Sequence, residues 1–155
     1  MSNVLARQRG ISEMEFYHTA DDLRTELHSL LYRDKVVPKK YRHSVTYAAM
    51  DAVKDMMSLM HRANRKSLYD PDEVAERRKL QQECIDRLDD IYEVMQYAMR
   101  NVWWQKLHAV NQETGEPTKE RLLLEKHLTD IGNLIDREDR LLKGWKRSTK
   151  LLKEK

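Results

Sequence analysis

The sequence predicts an all-α protein, an antiparallel up-down-up-down four-helix bundle. Three observations predict it. Apolar residues recur at three- and four-residue steps through four long segments, prolines fall between those segments, and no stretch sustains alternation of period two. Only 4 Gly and 3 Pro occur in 155 residues, where roughly 12% of an ordinary chain is Gly or Pro. That scarcity argues against hairpins, barrels and glycine-rich phosphate loops. Charged residues make up 35% and apolar residues 40%; because the apolar residues are clustered, the chain has the means to bury a core.

Pro38, Pro71 and Pro117 delimit the four segments, proline being tolerated in the first turn of a helix and hostile to the end of the one before. In the first segment, Ser12 and Glu15 have the spacing of a capping box. Phe16, Ala20, Leu23, Leu27, Leu30 and Leu31 then form an apolar stripe. The second segment carries Val45, Ala49, Ala52, Val53, Met56, Met60 and Ala63. The third opens on Asp70-Pro71-Asp72-Glu73, a cap with proline at the first helical position, and continues through Leu80, Cys84, Leu88, Ile91, Met95, Ala98 and Val102. It is the longest, with a break or protrusion expected near Trp103. Residues 111–117 (NQETGEP) form the clearest turn. The fourth segment runs through Leu124, Leu128, Ile131, Ile135, Leu142 and Trp145. The expected division is a tail over 1–11, one domain over 12–152 and a basic tail over 153–155. No secretory signal and no apolar stretch long enough to span a membrane are visible, so a soluble cytoplasmic protein is expected.

Net charge is +3, unevenly spread. The first segment is acidic, with Glu13, Glu15, Asp21, Asp22 and Glu26. One basic cluster surrounds the first turn: Arg33, Lys35, Lys39, Lys40 and Arg42. A second combines Arg62, Arg65 and Lys66 with Arg140, Lys143, Lys146, Arg147 and Lys150 near the C-terminus. Up-down topology places the two at opposite ends. Cations at a helix C-terminus complement the macrodipole and account for much of the second cluster. Lys39, Lys40 and Arg42 instead open a helix, where the dipole is already positive. Three cations beside free helix N–H groups suit an anion, phosphate above all.

Catalytic chemistry finds little support. Glu15-Phe16-Tyr17-His18 is a lone Glu-x-x-His match, whereas a di-iron bundle needs two. His18, His28, His43, His61, His108 and His127 show no metalloprotease spacing. The single cysteine, Cys84, sits on an apolar stripe as an inert thiol. Met50, Met56, Met57, Met60, Met95 and Met99 read as soft core packing. No metal, cofactor or catalytic residue is expected. Trp103 and Trp104 point about 100° apart on a helix, so at least one is exposed or lies in an interface.

Two stretches carry a resemblance. Pro38-Lys39-Lys40-Tyr41-Arg42 opens a helix that closes on His61-Arg62-Ala63-Asn64-Arg65. Arg140-Leu141-Leu142-Lys143-Gly144-Trp145-Lys146-Arg147-Ser148 lies near the end of the fourth segment. Over about residues 23–150 this layout resembles the four-helix-bundle family of the accessory variability determinant of diversity-generating retroelements, whose relatives are encoded in ribosomal RNA intervening sequences. The resemblance implies a non-enzymatic, homo-oligomeric, pentameric partner of a reverse transcriptase. Such a protein binds template RNA, with cDNA as a further candidate ligand, and supports mutagenic cDNA synthesis. Matching basic positions are Lys39, Lys40, Arg42, Arg62, Arg65, Lys143, Lys146 and Arg147. Gly144 and Trp145 match as structural positions, the glycine permitting close helix approach. The acidic stretch 70–76, the long third segment, the Trp103–Trp104 pair and Asp136-Arg137-Glu138-Asp139 depart from the family pattern. The competing expectation is an oligomeric protein–protein adaptor with no nucleic-acid role, drawing on the Met-rich stripe and the acidic first segment.

Overall fold

Regular structure in the computed structural model, which describes residues 14–153, is helical apart from an isolated antiparallel bridge between Val110 and Pro117. The first helix, α1, spans Glu15–Leu31 and is capped at Met14 without a side-chain hydrogen bond. Ser12 of the expected capping box lies outside the described residues. Phe16, Thr19, Ala20, Leu23, Leu27, Leu30 and Leu31 are buried, at the spacing of a single helical face.

The second segment does not begin as an α-helix. A 3₁₀ turn over Lys39–Tyr41 leads into a π-helical stretch over Arg42–Tyr47, and only then into α2, Ala48–Asn64. The wider π turn lets adjacent Val45 and Thr46 both face inward. The Thr46 hydroxyl donates to the Leu31 carbonyl at 2.7 Å, satisfying one of the acceptors that the end of α1 leaves open. On α2, Met56, Met57 and Met60 are buried, and Met95 joins them from the next helix, so these methionines are core.

Helix α3, Pro71–Asn101, starts as its sequence dictates: Pro71 opens the helix and the Asp70 carboxylate accepts from Asp72 N–H at 2.9 Å. It stops just short of the tryptophans. The N–H groups of Val102 and Trp103 both donate to the Ala98 carbonyl, each at 2.9 Å. The last turn is thereby widened by a five-residue bond, and Trp103 turns into the core, where it is fully buried and its indole N–H donates to the Val36 carbonyl at 2.8 Å. A single-turn helix, α4 (Trp104–Leu107), follows. The turn beyond it needs Gly115, whose φ of 71° is costly for any residue with a Cβ. Helix α5, Lys119–Ser148, is capped by the Thr118 hydroxyl, which accepts from Arg121 N–H at 3.2 Å.

Helix α1 packs on α2 and α5, and α3 packs on α2 and α5. One continuous apolar core joins all four. Trp145 closes it near the end of α5, stacking on Phe16 with ring centroids 4.1 Å apart. Gly144 corrects an expectation. A Cβ added there would meet only the Arg147 side chain of its own helix, at 3.9 Å, so no close helix approach requires it. No helix among the described residues is long and apolar enough to cross a membrane.

Candidate nucleic-acid interface

The cluster at the first turn is only partly free. The Arg42 guanidinium forms an ion pair with Asp34, across the loop between α1 and the 3₁₀ turn. Arg42 is thus a loop clamp, and Asp34 offsets the cation that the helix dipole disfavours. Lys40 holds its ammonium 5.1 Å from the centre of the Tyr41 ring, in a cation–π contact. Arg33, Lys35, Lys39 and Lys40 are exposed and have no ion-pair partner among the described residues. From α4, Lys106 donates to the Lys35 carbonyl. Together with Trp103 it ties the region after α3 to the loop that carries the cations. Between these parts lies a cleft of about 200 Å³, lined by Arg33, Lys35, Lys106 and Glu120 together with Leu30, Val36 and Leu124.

The second cluster divides. Lys66 pairs with Glu76 at 2.6 Å and Lys143 with Asp139 at 2.8 Å, the latter one helical turn apart. Arg62 lies in a cleft of mixed charge with Asp55, Glu83 and Arg87, so it does not join the other cations. Arg65 and Lys150 are exposed without an ion-pair partner among the described residues. Arg65 faces His61, whose pKa is lowered by partial burial and by that neighbouring charge.

Four cations do converge. A groove of about 500 Å³ between the first half of α3 and the end of α5 is lined by Arg78, Gln82, Lys143, Lys146, Arg147 and Thr149. Arg78 donates to the Thr149 carbonyl at 2.6 Å, and Lys146 donates to Gln82 Oε1 at 2.7 Å. Buried Gln81 and Thr149 bond each other at 2.8 and 3.1 Å. The chain past α5 is pinned again where Leu152 N–H donates to the Leu68 carbonyl at 2.7 Å. These bonds fix the groove wall and leave most guanidinium and ammonium donors open. The groove has an acidic shoulder: burial and the charges of Asp139 and Asp86 hold the Asp89 carboxyl above its usual range, against the pull of Lys143. Lys143 is in turn raised, by its bond to Asp139 above all.

Sequence reasoning missed Arg78 and Glu138. Arg78 belongs to the run Arg77-Arg78-Lys79, one of whose members does structural work. The Arg77 guanidinium lies 5.5 Å from the Trp145 ring centre and 3.5 Å from the Ala63 and Lys66 carbonyls, closing the end of α2. Glu138 is completely buried, and neither carboxyl oxygen has a hydrogen-bond partner. Burial pushes its pKa up to about 9, Arg137 opposing weakly, so at neutral pH it is an uncharged acid within the core. Its signal was present: Glu138 falls three residues after Ile135 and four before Leu142, on the apolar stripe. Burial foremost, then the charges of Glu138 and Glu83, pushes the Cys84 thiol up to about 12. Cys84 donates weakly to the Met56 carbonyl at 3.6 Å, an inert arrangement. Among the described residues no group of three or more His, Cys, Asp or Glu side chains is placed to hold a metal ion. No family model, curated protein or solved structure matches this chain.

Proposed function

We propose that this protein is a non-enzymatic nucleic-acid-binding accessory factor of a diversity-generating retroelement. In this reading it is a cytoplasmic homo-oligomer, pentameric by resemblance, whose four long helices form an antiparallel up-down-up-down bundle. It binds template RNA and the reverse transcriptase and holds them together for mutagenic cDNA synthesis. The observation that carries the nucleic-acid part is the convergence of Arg78, Lys143, Lys146 and Arg147 in one groove, with a single ion pair among them. Such a surface suits the evenly spaced charges of a phosphate backbone and reads no bases, so binding would be weakly sequence-specific. The resemblance supplies the polymerase. Phosphate contacts predict a log–log plot of affinity against salt that falls with a slope of about −2 to −3 for three or four neutralised phosphates on a single strand. Titration of the full chain with single-stranded RNA between low and physiological salt tests this; a flat line refutes it. Co-purification with a reverse transcriptase encoded beside a repeated template segment tests the second half.

The competing reading, a protein–protein scaffold, loses the Met-rich stripe to the core. It draws instead on Leu122 and Leu123, large apolar side chains left exposed on α5.

A further inference from the structure

Trp104 is out of place in a helical chain that has already buried its neighbour. It is 57% exposed, whereas Trp103 is fully buried. Its orientation is fixed. The His108 ring stacks on the indole with centroids 4.0 Å apart and planes 30° apart. His108 Nδ1–H donates to the Trp104 carbonyl at 2.7 Å. One face of the indole is thereby buttressed while much of the ring stays in water. The support beneath it is held too, since Trp103 bonds the Val36 carbonyl and Lys106 the Lys35 carbonyl, locking α4 to the loop of Arg33 and Lys35. Arg33, Lys35 and Lys106 share one cleft with a single acid, Glu120, and Lys39 and Lys40 follow Lys35 within a few residues of sequence. Asp34, the acid of that loop, is engaged by Arg42.

We propose that Trp104 is a stacking platform for an unpaired nucleobase, with the cations of the loop bonded to α4 holding the neighbouring phosphates. The inference rests on the nucleic-acid reading above and deepens it: the ligand class at this end is single-stranded. An aromatic face beside cations is the common device for holding single strands, and a duplex keeps its base faces covered. The loop bonded to α4 carries exposed Arg33 and Lys35, charges for which an apolar protein partner would have no use.

The test uses the full chain and two probes of equal length, an oligouridylate and a blunt RNA duplex, with wild type, Trp104→Ala and Trp104→Phe compared by fluorescence anisotropy. Being exposed, Trp104 can be replaced without loss of helical content, checked by circular dichroism. Trp104→Ala should weaken oligouridylate binding about tenfold, the scale of one stacked base. Duplex affinity should stay within about twofold, and Trp104→Phe should restore most of the loss. Equal losses on both probes, or none on either, overturn the platform while leaving the nucleic-acid reading intact. Dissociation of the homo-oligomer by Trp104→Ala with oligouridylate affinity unchanged overturns it in favour of a subunit contact. Wild type that binds neither probe at low salt defeats both the platform and the reading beneath it.

Discussion

Glu138 makes the folded state sensitive to pH in a direction opposite to that of an ordinary salt-bridged carboxylate. In the unfolded chain it ionises near 4.5; in the core it holds its proton to about 9. Below 4.5 both states are protonated and the difference costs nothing. Above it the unfolded state releases a proton that the folded state keeps, so stability falls as pH rises. Each pH unit in that window is worth about 1.4 kcal/mol, which puts the loss at about 3 kcal/mol by pH 7, and it stops growing once the buried acid ionises near pH 9. Urea unfolding followed by circular dichroism at pH 5, 6, 7 and 8 isolates the effect if wild type is compared with Glu138→Gln and Glu138→Leu. The advantage of either variant over wild type should increase by about 1.4 kcal/mol per pH unit, and Glu138→Leu should also remove the cost of unpaired polar atoms. A gap between wild type and variant that does not change with pH would mean that Glu138 is solvated or paired, and the description of the core there would be wrong.

Three further outcomes follow from the packing and charge. Gly144→Ala adds a methyl group where only the Arg147 side chain lies within reach, so it should stabilise the protein by about 0.5–1 kcal/mol through helix propensity, seen as a higher urea midpoint; destabilisation would restore the close-approach explanation. Trp145→Ala removes the ring that stacks on Phe16 and covers Arg77, costing about 3–5 kcal/mol, and a loss under 0.5 kcal/mol would place the indole in solvent. Lys39→Glu with Lys40→Glu should weaken RNA binding with helical content unchanged, since neither lysine has an ion-pair partner among the described residues; unaltered affinity would reduce that turn to a solvated one.

Local rules reached far into this fold. The caps at Asp70 and Pro71, the three- and four-residue stripes and the break before Trp103 follow from short-range chemistry, and the structure has each of them. Several departures come from contacts between residues distant in sequence. The π-helical start of the second segment depends on Thr46 reaching the Leu31 carbonyl, fifteen residues back, and helix propensity carries no trace of such a bond. Arg42 looks free in the sequence because its partner, Asp34, is eight residues away across an irregular loop. Lys143–Asp139 was within reach, as opposite charges four apart on a helix commonly pair. Arg78 enters the groove only because the chain past α5 folds back to put the Thr149 carbonyl within 2.6 Å. Glu138 falls in a run of charged residues, Asp136-Arg137-Glu138-Asp139, yet its register places it with Ile135 and Leu142, and position decides its burial.

The proposed function requires the groove between α3 and the end of α5 to bind a polyanion through its cations. Lys146→Glu with Arg147→Glu, measured beside wild type by RNA affinity across a salt series, tests it most directly. The variant should bind more weakly at low salt, and its log–log slope should be shallower by about 1–2. An unchanged affinity and slope in a protein of unaltered helical content would contradict it.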